Sequence, residues 1–425
     1  MKRSKFVDVL LVASLIMIPA EAFSNGYTTP WIGGELQGPA VAAGAGVYWN
    51  PAAIGDIGSS SLFITVEPNY MHVTYQPSGL DQNGMPVKKV SFQTWATLPT
   101  LVATFQLPAG FTFGLGVYAP FARTASFPLD GPERFNGSYV LMVFANVTPV
   151  LTYQLLPSLI IGAGFNYSIG YLDEKQSLSI DFADPSDESP SAEAKVHLKD
   201  NIGTTYGWTA GIYYKPTNNF TAGLSYIART YYVLDGTADI SNPTLGSVTA
   251  KTKMFISLPQ IINFGMHFLP TPDWIVDLTE QWINWSAYKT IHVRLYDASS
   301  RLVYSDPSTG SSRDLDILTG FEDVLNSKLW VGYKGFKDWL LAGGVTYDPS
   351  GIPLDNIYSL NEEYNKMEVF AEVDYSLSPS TTIGLGYDHS FTQDNHVTNS
   401  ASVPSSNGVY KADIEKITLL YNYKF

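Results

Sequence analysis

Asp388, His389 and Ser390 are three consecutive residues whose types would suit a hydrolase. A serine nucleophile needs a histidine within hydrogen-bond reach to take its proton. These residues belong to an alternating segment, however, and neighbours on a strand point to opposite faces of the sheet. His389 and Ser390 therefore cannot form a catalytic pair. We predict that the chain has no catalytic residue and is not an enzyme.

Metal chemistry is not predicted from the other candidate ligands. The remaining histidines show no zinc-ligand spacing; they are His72, His197, His267, His292 and His396. Two long polar stretches are rich in carboxylates, with Asp181, Asp184, Asp187 and Glu188 in the first and Asp297, Asp306, Asp314 and Asp316 in the second. Their spacing does not match a calcium loop, and a solvated surface is the favoured interpretation. We predict no metal and no cofactor.

Arg123 and Arg134 are the cations best placed to bind an anionic group, because they flank a long polar stretch at about residues 126–137. A ligand carboxylate would pair favourably with a guanidinium. Alternatively, each arginine is paired with an acid of the loops, such as Asp130 or Glu133. The sequence leaves both interpretations open.

The stretch from Gly44 to Gly55 contains a short structural element ahead of these residues. Asn50 is a good helix N-cap, and Pro51 suits the first helical position. Trp49 and Ile54 can close a hydrophobic staple around the cap. We predict a very short, self-capped helix that ends at Gly55, preceded by glycine- and alanine-rich chain with too little bulk to build a core.

Composition argues against a soluble protein. Only 15% of the 425 residues are charged and 14% are aromatic, with 27 tyrosines, 35 glycines and no cysteine. Soluble domains carry about 25% charged residues, whereas aromatic girdles and low charge are typical of a large membrane β-barrel. The absence of cysteine excludes disulfides and thiol chemistry. The net charge of −14 and the lack of a basic cluster exclude nucleic acid as an expected partner.

The first 22 residues have the features of a secretory signal peptide. Lys2, Arg3 and Lys5 form the basic start, an apolar run follows, and Ala20-Glu21-Ala22 is a small-x-small cleavage box. Cleavage would leave Phe23 as the mature N-terminus. No later stretch is apolar enough for a membrane helix, and an exported chain without one can still span a membrane as a closed barrel.

Alternating apolar residues predict strands through the rest of the chain. The pattern is clear in Phe111–Val117, Ile383–Tyr387 and Ile417–Phe425, where period two places one set of side chains on each face. A soluble sandwich would show the same alternation. The links separate the two interpretations, because short turns alternate with long polar links along the chain. That asymmetry is typical of an outer-membrane barrel, here of about 14 strands with both termini in the periplasm.

Four motifs, in order, give the chain a resemblance to the FadL-type outer-membrane transporters of long-chain fatty acids and aromatic hydrocarbons. Tyr48-Trp49-Asn50-Pro51-Ala52 resembles the family's hatch motif, and Gly114–Phe121 its third-strand signature. Pro272–Ser286 resembles its ninth-strand segment and Tyr347–Asp355 its Tyr-Asp-x-Ser-Pro-x-Pro-Asp loop. The acidic Asp-Asp stretch before the hatch motif and the Pro-Asp-x-Asp-Arg continuation after Asp355 are missing. Both departures concern ligand identity rather than the fold.

The resemblance implies an all-β transmembrane antiparallel barrel whose lumen is plugged by an N-terminal hatch with short helices. The domains would be a signal peptide (1–22), the hatch (23–57) and the barrel (58–425). Hydrophobic cargo would diffuse passively past the hatch and leave sideways through the wall. The expected gate residues are Trp49, Asn50, Pro51, Ala52 and Pro120, since Pro120 lacks an N–H and belongs at a bulge or edge. The expected ligand-binding residues are Phe23, Tyr27, Arg123 and Arg134.

The expected partners are hydrophobic cargo, outer-membrane lipid and lipopolysaccharide, and the barrel-assembly machinery, which would bind the C-terminal strand ending at Phe425. We expect a monomer in the outer membrane. The alternatives are a structural or adhesive outer-membrane barrel without transport and, less favoured, an outer-membrane lipid hydrolase. The cargo itself is not predicted.

Overall fold

The fold was analysed in a computed structural model that describes residues 31–79, 84–179, 189, 191–244, 246–296 and 315–425, without the side chains of 315 and 316. The predicted signal peptide, the ligand-binding candidates Phe23 and Tyr27, and the acidic residues from Asp181 to Glu188 and from Asp297 to Asp314 lie outside these residues. No helix within the described part of the chain is long and apolar enough to cross a membrane.

The described residues form one antiparallel sheet of strands that follow the chain order. The strands are β1 (Ser61–Pro77), β2 (Val90–Gln106), β3 (Phe111–Ser126), β4 (Tyr139–Leu156), β5 (Leu159–Ser179), β6 (Glu193–Thr217), β7 (Phe220–Ile227), β8 (Thr230–Asn242), β9 (Gly246–Leu258), β10 (Ile261–Thr271), β11 (Trp274–Ile283), β12 (Thr290–Tyr296), β13 (Leu315–Leu318), β14 (Val324–Tyr333), β15 (Trp339–Asp348), β16 (Lys366–Ser378), β17 (Thr381–Thr392), β18 (Asn395–Val397) and β19 (Gly408–Lys424).

The sheet closes on itself, because β19 pairs with β1 along nearly its whole length. Four crossings of the wall are each split into two strands, namely β7 with β8, β9 with β10, β11 with β12, and β13 with β14, and β18 is a three-residue strand in the link before β19. The result is a closed barrel of 14 antiparallel strands. The predicted fold class and strand number are confirmed.

The predicted alternation appears as an inner and an outer face on each strand. On β19 the outward residues are apolar from Ile417 to Tyr423 and charged from Lys411 to Glu415. The inward residues of the same strand are buried, including Lys416 and Thr418. An apolar outer band with a charged rim above it is the surface that a membrane barrel presents to lipid.

Residues 31–57 lie in the lumen, because strands from all around the barrel contact them. This lumenal segment contains a one-turn α-helix, α1 (Gly46–Trp49), and a 3₁₀ helix (Pro51–Asp56). The predicted capped helix is therefore present as the 3₁₀ helix, which ends one residue beyond Gly55. The prediction that the preceding chain is too small to build a core is wrong, since Trp31, Ile32 and Tyr48 join Trp49 in a buried cluster.

Above the lumenal segment, inward side chains fill the outer half of the barrel with a second apolar core. Its centre is aromatic: Trp285 packs edge-on against Phe121 at 5.6 Å and Tyr288 edge-on against Phe321 at 5.5 Å. Trp285 and Tyr288 come from a 3₁₀ turn (Trp285–Tyr288) that leaves the wall between β11 and β12. The lumen is thus a packed interior rather than an open pore.

Candidate functional site

One side chain, that of Asn50, holds the central turn of the lumenal segment with three hydrogen bonds. Its Oδ1 accepts from the amide of Ala52 at 3.1 Å, which caps the 3₁₀ helix as predicted. Its Nδ2 donates to the carbonyl of Pro39 at 2.8 Å and to the carbonyl of Ile212, on the wall strand β6, at 3.0 Å. Asn50 is completely buried. It therefore both caps the helix and ties the segment to the barrel wall.

Glycines in the wall leave the space that this turn occupies. A Cβ atom added at Gly211 would lie 2.0 Å from Oδ1 of Asn50, and one added at Gly162 would lie 2.6 Å from the backbone nitrogen of Ala52. Contacts this short are not tolerated, so any larger residue would displace the turn. The sequence shows these glycines only as members of alternating strands, and their role was not predicted.

Trp49 fixes the other side of the turn. Its indole stacks on that of Trp31 with ring centroids 5.3 Å apart, and its Nε1 donates to the carbonyl of Ile32 at 2.8 Å. Its own carbonyl accepts hydrogen bonds from Ser225 and from Asn263, on β7 and β10. The indole therefore holds the segment together while its backbone binds the wall.

Replacing Asn50 by alanine is expected to loosen the lumenal segment by about 1–3 kcal/mol, because buried hydrogen-bonding groups lose their partners. Hydrogen exchange of amides 44–57 in the purified protein should accelerate, while heat modifiability of the barrel on gels stays unchanged. Asn50→Ser is the comparison variant, since a serine oxygen can still cap the helix while the two amide donations are lost and no charge is buried. Exchange at wild-type rates in Asn50→Ala would contradict this role.

Charged residues anchor the start of the segment to the opposite wall. The Glu35 carboxylate bonds the Lys416 ammonium on β19, and both side chains are 2% exposed. The Lys328 ammonium on β14 donates to the carbonyls of Glu35 at 2.6 Å and Gln37 at 2.7 Å, and lies 4.0 Å from the ring centroid of Trp31. Buried charges are retained where they are paired and hydrogen-bonded, so these contacts define how the segment sits.

Carboxylates outnumber amines around this anchor. One oxygen from each of Glu35, Glu368 and Asp388 lies within 4.8 Å of the other two, and all three residues are buried. The Trp31 indole donates to Glu368 at 3.0 Å, and the Lys416 ammonium bonds Glu35. Because the Lys416 ammonium already supplies a cation to this cluster, we do not assign a metal to it. The absence of a metal site stays a prediction.

The wall is discontinuous between β2 and β3, all of whose residues are described. Their ladder runs from the turn only as far as the Leu101–Val117 pair. Beyond it, residues 90–100 of β2 pair with β1, and residues 118–126 of β3 pair with β4. The two strands have therefore separated over the outer half of the barrel.

Prolines lie at the point where the strands separate. Pro120 falls within a register shift of the β3–β4 ladder, between Tyr118 and Phe121. Pro99 lies just past the last pair of the β2–β3 ladder. Neither residue has an N–H to continue the ladder. The bulge expected at Pro120 is confirmed, and Pro99 is a second contribution that sequence reasoning missed.

Apolar side chains, three of them alanines on β2 and β3, line the space between the separated strands. The residues are Ala96 and Leu98 on β2, Ala119 and Ala122 on β3, and Leu141, Val143 and Ala145 on β4. The outward-facing residues of β4 are buried here against β2. Both β3 and β4 therefore bend inward and pass on the inner side of β2. The gap is therefore an apolar slot, open in backbone pairing and filled by apolar side chains, with Tyr139 and Tyr171 packed against them.

A small cavity lies between Pro120 and the lumenal segment. It has a volume of about 20 Å³ and is lined in part by Tyr48, Pro120 and Phe121. Directly below, the lumenal segment packs against glycines of β3. A Cβ atom added at Gly116 would lie 2.7 Å from a methyl carbon of Val47, and one added at Gly114 would lie 2.7 Å from a methyl carbon of Ile54. Of the lumenal segment, Tyr48 shares this cavity with Pro120, whereas the predicted gate residues Trp49, Asn50 and Ala52 contact β5, β6, β7 and β10.

Arg123 is buried at the outer end of β3 and paired with a glutamate. Its guanidinium donates to the carbonyl of Glu362 at 3.0 Å and bonds the carboxylate of the same residue. The expected pairing with a loop acid is observed, but the acid is Glu362 rather than Asp130 or Glu133, because loop 349–365 folds over the mouth and brings Glu362 to Arg123. The sequence contained no local signal for a partner 239 residues away.

Arg134 is likewise paired, with Glu193 at the start of β6. Its Nε lies 3.2 Å from both oxygens of that carboxylate, and its guanidinium covers the ring of Phe135 at 4.6 Å. The expected pairing with a loop acid is observed, with Glu193 as the partner, and the Arg134 charge also acts on the nearby Glu133 carboxyl. The structure does not bring Arg123 and Arg134 together at one carboxylate-binding point.

A cleft of about 220 Å³ lies among the outer links. Its lining combines Phe135 and Leu178 with Tyr358 and Val403, from four separate parts of the chain. Apolar surface with a few polar groups is typical of a small-molecule site. The cleft gives the mouth of the barrel a place where an apolar compound can be held.

Buried glutamates in the outer links have altered acidity. Burial raises the pKa of Glu133 to about 7 and, together with the nearby Asp348 carboxylate, raises the pKa of Glu363 to about 7. A raised pKa means that the folded link prefers the protonated acid. The stability that the protonated carboxyl group contributes to the folded link is fully present below pH 4.5 and is lost as the pH rises through about 7.

The link at residues 127–138 is therefore expected to become more mobile between about pH 5 and pH 8. A spin label at Leu129→Cys, which is 55% exposed in a chain without native cysteine, reports that mobility. Glu133→Gln should flatten the profile and keep the link ordered at high pH, because glutamine cannot ionise. A pH profile that is unchanged by Glu133→Gln would rule out this origin.

A family model for outer membrane protein transport protein (OMPP1/FadL/TodX) matches residues 19–425. The chain belongs to this family. The family resemblance inferred from the sequence motifs is confirmed. Membership of this family also supports the prediction of an outer-membrane transport protein rather than an enzyme. His389 and Ser390 agree with that assignment, since Ser390 is buried in the lumen while His389 packs against Phe391 on the outer face.

Curated relatives in the FadL/TodX family are distant in sequence. The long-chain fatty acid transport protein of Escherichia coli O6:H1 is 22% identical over 301 residues, which cover 67% of this chain and only 56% of that protein. That of Shigella flexneri is 20% identical over 480 residues and covers 100% of this chain and 99% of the other.

Solved structures share the fold. A Pseudomonas aeruginosa FadL homologue superposes with a TM-score of 0.78 at 16% identity, over 95% of this chain and 98% of the other. The Pseudomonas putida toluene transporter TodX gives a TM-score of 0.68 at 14% identity, over 90% and 94%. At this level of identity the likeness establishes the FadL/TodX-type barrel fold, but it does not identify a ligand.

Proposed function

We propose that this protein carries hydrophobic compounds, such as long-chain fatty acids or aromatic hydrocarbons, into the cell by passive diffusion, with exit sideways through the barrel wall. The observation that carries the proposal is the apolar slot between β2 and β3, which meets the lumen at Pro120. A lumenal segment that fills the barrel leaves no straight aqueous path, so a plain diffusion pore does not fit.

The proposed route begins at the outer cleft and continues inward through the apolar core to the cavity beside Tyr48. There the lumenal segment, as part of a hatch formed by residues 23–57, blocks further descent and directs cargo to the slot. Entry into lipid is favourable by about 0.8 kcal/mol for each methylene group buried. Diffusion down this gradient needs no energy source.

The paired arginines bear on cargo choice. Arg123 and Arg134 each face a glutamate, so an anionic headgroup at either would have to displace a carboxylate from a buried or half-buried pair. The proposed ligand-binding role for these two residues therefore applies to a fatty acid only with rearrangement, whereas an uncharged hydrocarbon needs none. Phe23 and Tyr27 remain proposed cargo contacts at the start of the hatch.

The protein would reach this location as a monomer after signal-peptide cleavage near Ala22, surrounded by lipid and lipopolysaccharide. We propose that the assembly machinery recognises the last strand through Phe425, whose side chain is 60% exposed and packs edge-on against Phe105 at 6.1 Å. Deleting Phe425 should lower the amount assembled without changing synthesis, and normal assembly would contradict this role.

Growth of a deletion strain on a panel of hydrophobic carbon sources tests the function directly. Strains carrying the wild-type gene should grow on at least one fatty acid or aromatic hydrocarbon on which the deletion strain grows slowly. Equal growth on every hydrophobic source, at normal barrel levels in the complemented strain, would favour a structural or adhesive barrel instead.

A further inference from the structure

A second interruption of the wall lies away from the β2–β3 slot. The crossings that contain β7, β9, β11 and β13 each break, at residues 228–229, 259–260, 284–289 and 319–323. Below the breaks β7, β10, β11 and β14 pair side by side, and above them β8, β9, β12 and β13 do so. The four breaks are adjacent and form one seam around this side of the barrel.

The seam is widest between β9 and β12. Their ladder ends at the Phe255–His292 pair, and the ladder below it resumes at Ile261–Ile283. Between these two ladders the chain turns inward at Trp285, so its backbone does not pair with the wall there. A backbone hydrogen bond at 3.0 Å, from Asn284 to Gln260, crosses the interval.

This inward turn leaves a crevice of about 430 Å³ on the outside of the barrel. Tyr231, Val233 and Phe255 form one apolar side, and Ser257, Lys289 and Thr290 a polar rim. Tyr231 is 64% exposed, so this side faces the membrane rather than the lumen. The volume is within the range of about 300–1,000 Å³ for small-molecule sites, and the lining suits a chain with one polar end.

One layer of side chains separates the crevice from the lumen. Tyr232 lines both the crevice and the small cavity beside Pro120. Ile256 lines the crevice, and Pro259, three residues along the chain, lines the cavity. Tyr232 is 2% exposed and packs against Phe144 with ring centroids 4.7 Å apart. The same cavity thus touches both interruptions of the wall, from opposite ends.

We propose that the crevice between β9 and β12 is a second lateral opening, which passes single-chain amphiphiles such as long-chain fatty acids from the lumen to the bilayer. Rotation of the Tyr232 ring opens it, the apolar side takes the alkyl chain, and the polar rim takes the headgroup. The proposal rests on the proposed transport function and adds a path and a cargo class to it.

Cysteine chemistry tests the opening in cells, because the chain has no native cysteine. Ser257→Cys, modified with a bulky maleimide, should slow uptake of a long-chain fatty acid relative to the unmodified variant. Leu385→Cys, on the outer face of β17 and 59% exposed, is the control and should show no change on modification. The same reagent on Tyr139→Cys, at a partly buried residue that packs against the slot cluster, blocks the β2–β3 slot for comparison.

A photoreactive fatty acid locates the cargo. With its diazirine at the methyl end, it should label Tyr231, Val233 or Phe255 in the wild-type protein, and more strongly in Tyr232→Ala. Tyr232→Phe, which keeps the ring, should behave as wild type. Heat modifiability of each variant on gels confirms that the barrel has folded before uptake is compared.

The outcomes separate the two levels of the proposal. Slower uptake on modification of Ser257→Cys as well as of the slot cysteine, with a larger loss when both are modified, supports the second opening. Loss only at the slot overturns the second opening and leaves the transport function in place. Labelling in the crevice without any effect of modification on uptake also overturns it, since the crevice then holds bilayer lipid. No effect at either site contradicts lateral exit altogether.

Discussion

Replacing Lys416 by methionine is expected to detach the start of the lumenal segment at a cost of about 3–5 kcal/mol, the effect of removing one partner of a buried ion pair. The Glu35 carboxylate would be left in the lumen beside Glu368 and Asp388 without the ammonium that bonds it. The strand itself should persist, because methionine keeps the aliphatic length of lysine.

Hydrogen exchange of residues 31–57 measures this release. Exchange should accelerate far more in Lys416→Met than in Asn50→Ala, since hydrogen bonds between neutral groups contribute less than a buried charge pair. The double variant Lys416→Met/Glu35→Gln should recover much of the protection, because the uncompensated charge is gone. Protection equal to wild type in Lys416→Met would show that the ion pair does not anchor the segment.

Pro120→Val is expected to reduce uptake of apolar compounds by narrowing the β2–β3 slot. Valine restores a backbone donor at the point where the ladder stops and favours a continuous strand. A net gain of about 0.5–1.5 kcal/mol for the new hydrogen bond corresponds to a fall of roughly 2- to 12-fold in the open population. Binding at the outer cleft should persist, since its lining residues lie elsewhere.

The uptake rate at matched barrel levels checks this prediction. Pro149→Val is the control, because it makes the same chemical change on β4, at a residue that pairs with Leu115 of β3. Wild-type uptake in Pro120→Val, or an equal loss in Pro149→Val, would separate the proline from the exit route.

Local patterns in the sequence predicted the parts of this fold that local chemistry determines. Alternation from Ile417 to Phe425 gave the correct lipid-facing residues of β19, because side chains alternate whatever the partner strand is. Asn50 and Pro51 predicted the capped turn, because a cap involves only the next few residues. The alternation of short and long links predicted 14 strands without any knowledge of register.

Contacts across the lumen could not be predicted in this way. Glu35 meets Lys416 at a separation of 381 residues, and Arg123 meets Glu362 at 239. Such pairs depend on strand register and on which loop folds inward, neither of which is encoded in a short stretch of sequence. For the same reason Gly211 had no visible role until the Asn50 side chain was placed against it.

The most direct test of lateral exit is a reversible cross-link across the slot. Ala96→Cys and Ala119→Cys lie on opposite strands within one buried cluster, and the absence of native cysteine makes their cross-link with a short bis-methanethiosulfonate reagent specific. Each cysteine thiolate displaces a sulfinate and forms a disulfide, which a reductant later cleaves. Uptake of an apolar compound should fall when the two are cross-linked and recover when the link is cleaved, with each single-cysteine variant unaffected. Undiminished uptake in the fully cross-linked protein would contradict the account.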